Sequence, residues 1–451
     1  MPRKLRSIDA PAETGFLVGV ELKRSRDLWR VEDSLEELAQ LARTADIEVV
    51  GSTLQRLDAP NPATFIGSGK VDELKTWRRE LGYDVLLFDD ELAPRQQRNL
   101  EEQLDVKVVD RTALILDIFA SHARTKEGRL QVELAQYEYR LPRLTRMWTH
   151  LSRQGVGGVG LRGPGETQLE SDRREIGRRI TQLKRQLEEV RNHRRRYRSR
   201  RKKAAMPVVA IVGYTNAGKS TLLNALSGAD VLVEDKLFAT LDPTTRRVTL
   251  PDGRAVLFTD TVGFINKLPT QLVAAFRATL EEINEADLLL HVVDITHYNV
   301  REQSRTVEQV LRELGADDRP VVTALNKIDL LSVEGEEGTS EEVEGEGEGQ
   351  PAAVEAILEM MKAYRNCVAI SAERGFGLAQ LLHRVEEVLS EDLVSLLVCL
   401  PYSSDGLLGL FHEHGLVERE EYSQRGITLQ GKVPQGLMSR FEAYLIENKS
   451  S

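Results

Sequence analysis

The sequence predicts a multidomain α/β protein, with two α/β domains separated by a long antiparallel helical hairpin and a small α+β domain at the end. Three observations predict it. Short apolar strand patterns alternate with helical ones before residue 125 and again after residue 206. Between them, two helical stretches carry apolar residues at coiled-coil spacing, and one glycine-rich turn, "GYTNAGKS", is flanked by a β-branched strand and a helix. A chain of 451 residues accommodates about three domains of ordinary size, each with its own core. The longest apolar runs, such as "LLLHVVDI", fall short of the roughly 20 residues that span a bilayer. No apolar signal core follows "MPRKLRSIDA", and Cys367 and Cys399 are the two cysteines, so a reduced, cytoplasmic protein without membrane insertion, disulfides or a zinc site is expected.

Residues 1–125 interleave "FLVGVEL", "IEVVGSTL", "DVLLFDD" and "VKVVDR" with helical patterns, which suits a largely parallel sheet. "FIGSGKVDEL" imitates a phosphate loop at Gly67 to Lys70, but Thr64 stands where its first glycine belongs, so a turn opening a helix is expected. Residues 126–205 form the hairpin. Its seams are Leu130, Leu134, Tyr137, Leu141, Leu144, Trp148 and Leu151, then Leu169, Ile176, Ile180, Leu183, Leu187, Val190 and Tyr197. Pro142 should kink or split the first helix, and Thr167 with Glu170 resembles a capping box starting the second. The tip, residues 154–166, carries six glycines.

Charge is distributed unevenly. The whole chain carries −10, yet Glu170 to Lys203 holds 15 basic against 5 acidic residues, and Glu334 to Glu348 holds 8 glutamates and no basic residue. The basic helix beside the glycine tip points to contact with RNA, because lysines and arginines neutralise phosphates and glycine admits close backbone approach. The acidic tract, part of residues 332–350, has too few apolar residues to fold and reads as a solvated insertion.

Residues 206–391 carry nucleotide chemistry. Gly213, Gly218, Lys219 and Ser220 keep the spacing GxxxxGK[ST], with Tyr214, Thr215, Asn216 and Ala217 forming the loop and Thr221 continuing the helix. Loop N–H groups would cradle phosphates, Lys219 would bridge β and γ oxygens, and the Ser220 hydroxyl would bind magnesium. In "NKID", Asn326, Lys327, Ile328 and Asp329 end an apolar strand. The Asp329 carboxylate suits the paired donors of guanine, so GTP and GDP are favoured over adenine nucleotides. Ser371, Ala372 and Glu373 follow at a further strand end, near the guanine oxygen. Asp260, with Thr261, Val262 and Gly263, would hold magnesium through water and sense the γ-phosphate through the Gly263 N–H. Thr240, Thr244 and Thr245 compete for the remaining magnesium position. Residues 392–451 read as a small separate α+β domain.

Together these motifs, the basic hairpin and "GVGGVGLRGPGETQLESDRR" resemble the HflX family of bacterial GTPases, from about Gly15 to Leu389. The resemblance implies a TrmE-like phosphate-loop GTPase that binds the large ribosomal subunit and ribosomal RNA and separates or rescues stalled or stressed ribosomes. It also implies that Phe238, Ala239, Thr240, Leu241 and Asp242 form the magnesium-coordinating switch, with Thr240 as the ligand. Lys219, Thr240 and Gly263 are then the candidate catalytic residues. Asn216 matches the asparagine with which TrmE-like enzymes coordinate potassium. Phe264 stands where many GTP-hydrolysing switches carry a glutamine and cannot orient water, so slow turnover, completed by potassium or the ribosome, is expected. A monomer is expected. Two other readings remain open: a role in ribosome assembly or RNA modification, and a signalling switch whose hairpin binds a protein partner.

Overall fold

A computed structural model describes residues 13–23, 29–144, 164–203, 206–228, 237–238, 240–267, 282–331, 362, 364, 366–391, 393–402, 404–424, 426–434 and 437–446. The acidic insertion and most of the glycine tip lie outside them. The chain divides into two compact units. One comprises Met1–Val190, Lys236–Leu241 and Asn266–Arg277, and the other comprises Arg191–Asp235, Asp242–Ile265 and Ala278–Ser451.

In the first unit, β1 (Glu13–Leu22), β2 (Ile47–Leu57), β3 (Val85–Phe88) and β4 (Lys107–Asp110) form an all-parallel sheet in the order β2-β1-β3-β4. β1 and β3 are buried as continuous runs because helices cover both faces, which is why they read as unbroken apolar stretches. Between the strands lie α1 (Val31–Thr44), α2 (Ser68–Leu81) and α3 (Pro94–Leu104), and α4 (Arg111–His122) follows β4. Gly67 precedes α2 as its N-cap, so the false phosphate loop is a turn opening a helix. Asp110 caps α4 by accepting from the Ala113 N–H at 2.9 Å.

The hairpin pairs α5 (Lys126–Arg140) with α6 (Pro164–Lys203). Leu130, Leu134 and Tyr137 pack against Ile180, Leu183 and Leu187, the central residues of the two expected seams. Ion pairs flank them, Arg179 to Glu133 at 2.6 Å and Lys184 to Glu138 at 2.9 Å. Pro142 splits the first helix: α5 stops at Arg140 and a 3-10 turn spans Leu141–Leu144. Trp148 and Leu151, and the side chains of Leu169 and Tyr197, lie outside the described residues. One expectation is corrected here. α6 begins at Pro164, so Thr167 is inside the helix rather than its N-cap, and proline, with no N–H to leave unsatisfied, occupies the first position.

In the second unit, β5 (Val208–Gly213), β6 (Thr244–Thr249), β7 (Ala255–Asp260), β8 (Leu288–Asp294), β9 (Val321–Asn326) and β10 (Cys367–Ala369) form a sheet in the order β10-β9-β8-β5-β7-β6. β6 pairs antiparallel with β7, and the other pairs are parallel. α7 (Lys219–Ser227) and the helix Leu378–Glu391 cover its core, built on Val209, Ile211, Leu290, Phe258 and Leu381. A third, antiparallel sheet contains β11 (Leu393–Leu400), β12 (Leu416–Ser423) and β13 (Gly426–Pro434) in the order β11-β13-β12, with Phe411 and Phe441 in its core. It has the α+β character expected of the last segment. Among the described residues, no helix is long and apolar enough to cross a membrane.

Leu183 is fully buried in the hairpin seam. Leu183→Ala is expected to cost about 2–5 kcal/mol locally, seen in hydrogen exchange as lost protection of Lys126–Arg140 while nucleotide affinity is unchanged.

Candidate GTP site

Parallel strands direct their carboxyl ends to one edge of the sheet, where open α/β sheets bind ligands. Each sequence motif falls there. Gly213 ends β5, Asp260 ends β7, Asp294 ends β8, Asn326 ends β9, and Ile370 to Ala372 follow β10.

The phosphate loop turns from β5 into α7 through Asn216, with φ +59°, and Gly218, with φ +91°. Both are left-handed positions, tolerated by asparagine and natural for glycine. At Gly218 space also decides, because a Cβ would lie 2.3 Å from Asn326 Nδ2. That amide is the centre of the site. Asn326 Nδ2 donates to the Ala217 carbonyl at 2.9 Å, and its Oδ1 accepts from the Ala372 N–H at 2.9 Å. One buried side chain thereby joins the phosphate loop to the Ser371–Ala372 loop.

Ser220 Oγ donates to Asp260 Oδ2 at 2.7 Å. Two adjacent hard oxygen donors suit a small divalent cation such as magnesium. Lys219 Nζ, buried, donates to the Tyr214 carbonyl at 2.7 Å. Burial pushes the lysine pKa down to about 8, with Asp260 opposing. Burial, reinforced by Lys219, likewise pushes His291 in β8 down to about 4, so the imidazole is neutral at pH 7. Lys327, itself left-handed with φ +67°, pairs with Asp294 at 2.6 Å, and Asp294 Oδ1 also accepts from Thr296 N–H and Oγ1 at 3.0 and 2.6 Å. Arg374 lies 3.7 Å from the Asp329 carboxylate, and Ile328 packs with Val293, Ile295 and Leu325. Asp294 and Arg374 escaped the sequence reading. "VVD" ending a strand was a signal for the first; nothing in the sequence marked the second.

Phe264 is buried at 1% exposure, and its backbone is zipped to the phosphate loop. Its N–H donates to the Gly213 carbonyl at 3.1 Å and its carbonyl accepts from the Thr215 N–H at 2.7 Å, making a parallel bridge with Tyr214. Thr261 and Val262 are buried, Thr261 Oγ1 donating to the Ile211 carbonyl at 2.7 Å. At Gly263 a Cβ would come within 2.9 Å of Thr215 and 3.0 Å of Lys219 Nζ. Thr221 lies in the first turn of α7, and Glu373 is exposed beside Ala372. Thr245 Oγ1 meets Thr259 Oγ1 at 3.0 Å across β6 and β7, and Thr244 is opposite Asp260. Thr240, Phe238 and Leu241 belong to the segment grouped with the first unit, whereas Asp242 is grouped with the second; Ala239 lies outside the described residues.

Comparison with known proteins shows what the chain is similar to. Residues 32–120 match the family described as GTP-binding GTPase N-terminal, 122–201 the GTP-binding GTPase Middle Region, and 208–327 the 50S ribosome-binding GTPase. The GTPase HflX of Caldanaerobacter subterraneus subsp. tengcongensis is 48% identical over 415 residues, covering 92% of this chain and 91% of that one. That of Escherichia coli is 42% identical over 423 residues, covering 94% of each chain. A solved GTP-binding protein of Sulfolobus solfataricus in complex with GDP is 26% identical, covers 84% of this chain and 99% of its own, and has a TM-score of 0.42.

Fold, phosphate loop and guanine-type clamp define a phosphate-loop GTPase, an enzyme that binds GTP and hydrolyses it to GDP. Within that class, the chain belongs to the HflX family.

Gly218→Ala places a methyl group against Asn326 and strains the turn by about 1–3 kcal/mol; titration with fluorescent GDP is expected to show affinity reduced about tenfold or more. Phe264→Gln buries an amide where a ring packed, at a cost of about 1–3 kcal/mol. It is expected to lower the melting temperature without raising the GTP turnover measured by phosphate release.

Proposed function

We propose that this GTPase binds the large (50S) ribosomal subunit through ribosomal RNA contacts along α6 and uses GTP to separate or rescue stalled or stressed ribosomes. The observation that carries the reading is the outer face of α6, where Arg174, Arg178 and Arg185 surround Gly177 and Thr181. Arg174 and Arg185 pair with the exposed Glu170 and Glu189 of the same helix, at 3.5 and 3.7 Å. Such pairs contribute about 0.3–0.5 kcal/mol, so phosphates compete with them readily. Gly177 leaves open space beside the helix backbone. The description of the matched family, a 50S ribosome-binding GTPase, supports the same partner. The chemistry fits a cytoplasmic enzyme.

Residue roles follow the site. The N–H groups of the phosphate loop and Lys219 hold the phosphates, and Asp329 reads guanine while Asn326 fixes the loops around it. Ser220, Asp260 and Thr240 are the residues that would hold magnesium. Such an ion would supply positive charge to the phosphates. Gly263 presents its N–H to the γ-phosphate. Phe264 has no group to orient water, and its ring is buried, so turnover depends on help from outside. In the Ras example, a partner accelerates hydrolysis about 10⁵-fold, and at about 1.36 kcal/mol per tenfold that is roughly 7 kcal/mol. Potassium held by Asn216 is one source; its exposed side chain on a left-handed turn supports that role. The ribosome is the other.

Arg174→Glu, Arg178→Glu and Arg185→Glu together are expected to reduce cosedimentation with 50S particles at least tenfold at moderate salt while leaving GTP affinity unchanged; undiminished binding contradicts the RNA-binding face. Phosphate release is expected to rise on adding 50S subunits, and further when potassium replaces sodium.

A further inference from the structure

The guanine clamp leans on a residue outside its motif. β8 and β9 pair in parallel with Asp294 beside Asn326, so the two strands end together on one rim of the sheet. The Ile295 N–H donates to the Asn326 carbonyl at 3.2 Å and extends the pairing by one bond. Beyond that bond the chain changes direction. Lys327 takes φ +67° and begins the 3-10 turn Ile328–Leu330, which carries Asp329. Lysine has a Cβ, which left-handed backbone brings toward the following carbonyl, so the conformation persists only where surrounding contacts impose it.

Asp294 imposes it. Its Oδ2 lies 2.6 Å from Lys327 Nζ, with the Asp294 side chain 12% and the Lys327 side chain 25% exposed. Its Oδ1 accepts from the Thr296 N–H at 3.0 Å and from the Thr296 hydroxyl at 2.6 Å, so the carboxylate is fixed within its own loop. The other supports of the turn direct it less. Ile328 packs with Val293, Ile295 and Leu325, but apolar contact has no preferred direction. The Ile328 N–H donates to the Ile370 carbonyl over a long 3.3 Å. Arg374 lies 3.7 Å from Asp329 and is 63% exposed, a solvated pair that contributes little, whereas the short, shielded pair of Asp294 and Lys327 holds its geometry.

We propose that Asp294 is a positioning residue for guanine: through Lys327 it fixes the turn that carries Asp329, and so sets how well guanine is told from a base that lacks its exocyclic amine. The inference rests on the assignment of Asp329 to guanine made above. Asp294 acts on the base only through Lys327 and Asp329. A carboxylate receives the N1–H and the amine of guanine together only when both its oxygens are held in place, because paired hydrogen bonds demand a fixed geometry. Loosening the turn therefore costs a guanine nucleotide more than an inosine nucleotide, whose base keeps the N1–H and has no amine. General damage to the fold weakens both alike.

Competition titrations on the full-length protein test it, with fluorescent GDP displaced by guanosine, inosine or xanthosine diphosphate. Asp294→Asn, which keeps the shape and removes the charge, is expected to weaken guanosine diphosphate about tenfold or more and inosine diphosphate no more than about threefold. Thr296→Val, the second variant should Asp294→Asn fold poorly, is expected to lower the same discrimination about threefold. Added to Lys327→Met, Asp294→Asn is expected to change affinity less than about twofold further, because the two side chains act as one unit. Circular dichroism verifies each fold. Equal weakening of the guanosine and inosine nucleotides, or no change in either in the folded variants, overturns the proposal. Asp329→Asn keeps failure of the underlying assignment distinct: a preference moved from guanosine to xanthosine diphosphate upholds Asp329 as the guanine reader, and an unmoved preference overturns both.

Discussion

The Asn326 amide is the interaction on which the GTP site depends. A phosphate loop presents N–H groups to its ligand only if its turn is held open, and a turn of this kind has few internal bonds with which to hold itself. Asn326 donates to the Ala217 carbonyl and accepts from the Ala372 N–H, so that phosphate loop, β9 and the loop after β10 are joined through one side chain. Gly218 is tied to the same contact, since any larger residue there meets the amide. The buried bonds are strong because no water competes for them, and for the same reason neither end tolerates being left unpaired.

Around that clamp the site is organised by charge. Asp294 restrains Lys327, and Ser220 bonds Asp260. Both pairs keep polar groups satisfied at the carboxyl ends of a buried parallel sheet, where isolated ones are costly. Phe264 belongs to the same economy of a dry interior. Its ring fills core volume and its backbone extends the pairing of the phosphate loop, so the position usually discussed as a water-orienting residue is a structural staple here. Hydrolysis by a site of this kind follows from positioning and electrostatics rather than from a covalent step.

In the first unit, buried charge plays a different role. Asp89, Arg111, Glu37 and Ser34 form a network at a crevice that in other α/β sheets receives a ligand, and the group received is the Lys267 ammonium. Buried ion pairs of this sort contribute little net stability, because desolvation offsets their attraction.

Local patterns were sufficient for much of this. The parallel sheets were legible because strands buried on both faces must be continuously apolar, as in "VLLF" and "LLLHVVD". The hairpin was legible because Leu130, Leu134, Ile180, Leu183 and Leu187 repeat with the helical period. Motif residues from Gly213 to Ser220, Asp260, and Asn326 to Asp329 could be placed because each sits at a strand end in short, chemically constrained spacing. Helix boundaries were less legible: Thr167 imitated a cap, but the proline three residues earlier starts α6. Composition gave no view of contacts between residues distant in the chain. That Asp294 holds Lys327, that Phe264 is a buried staple, and that Lys267 reaches Asp89 across 178 positions depend on packing. The amino-acid sequence alone determined which segments are strands and helices and which residues stand in phosphate-loop and NKxD spacing, because those depend on local period and spacing. Only the tertiary structure decided what Lys267, Asp294 and Phe264 touch, because burial and charge pairing between remote residues arise when the chain folds.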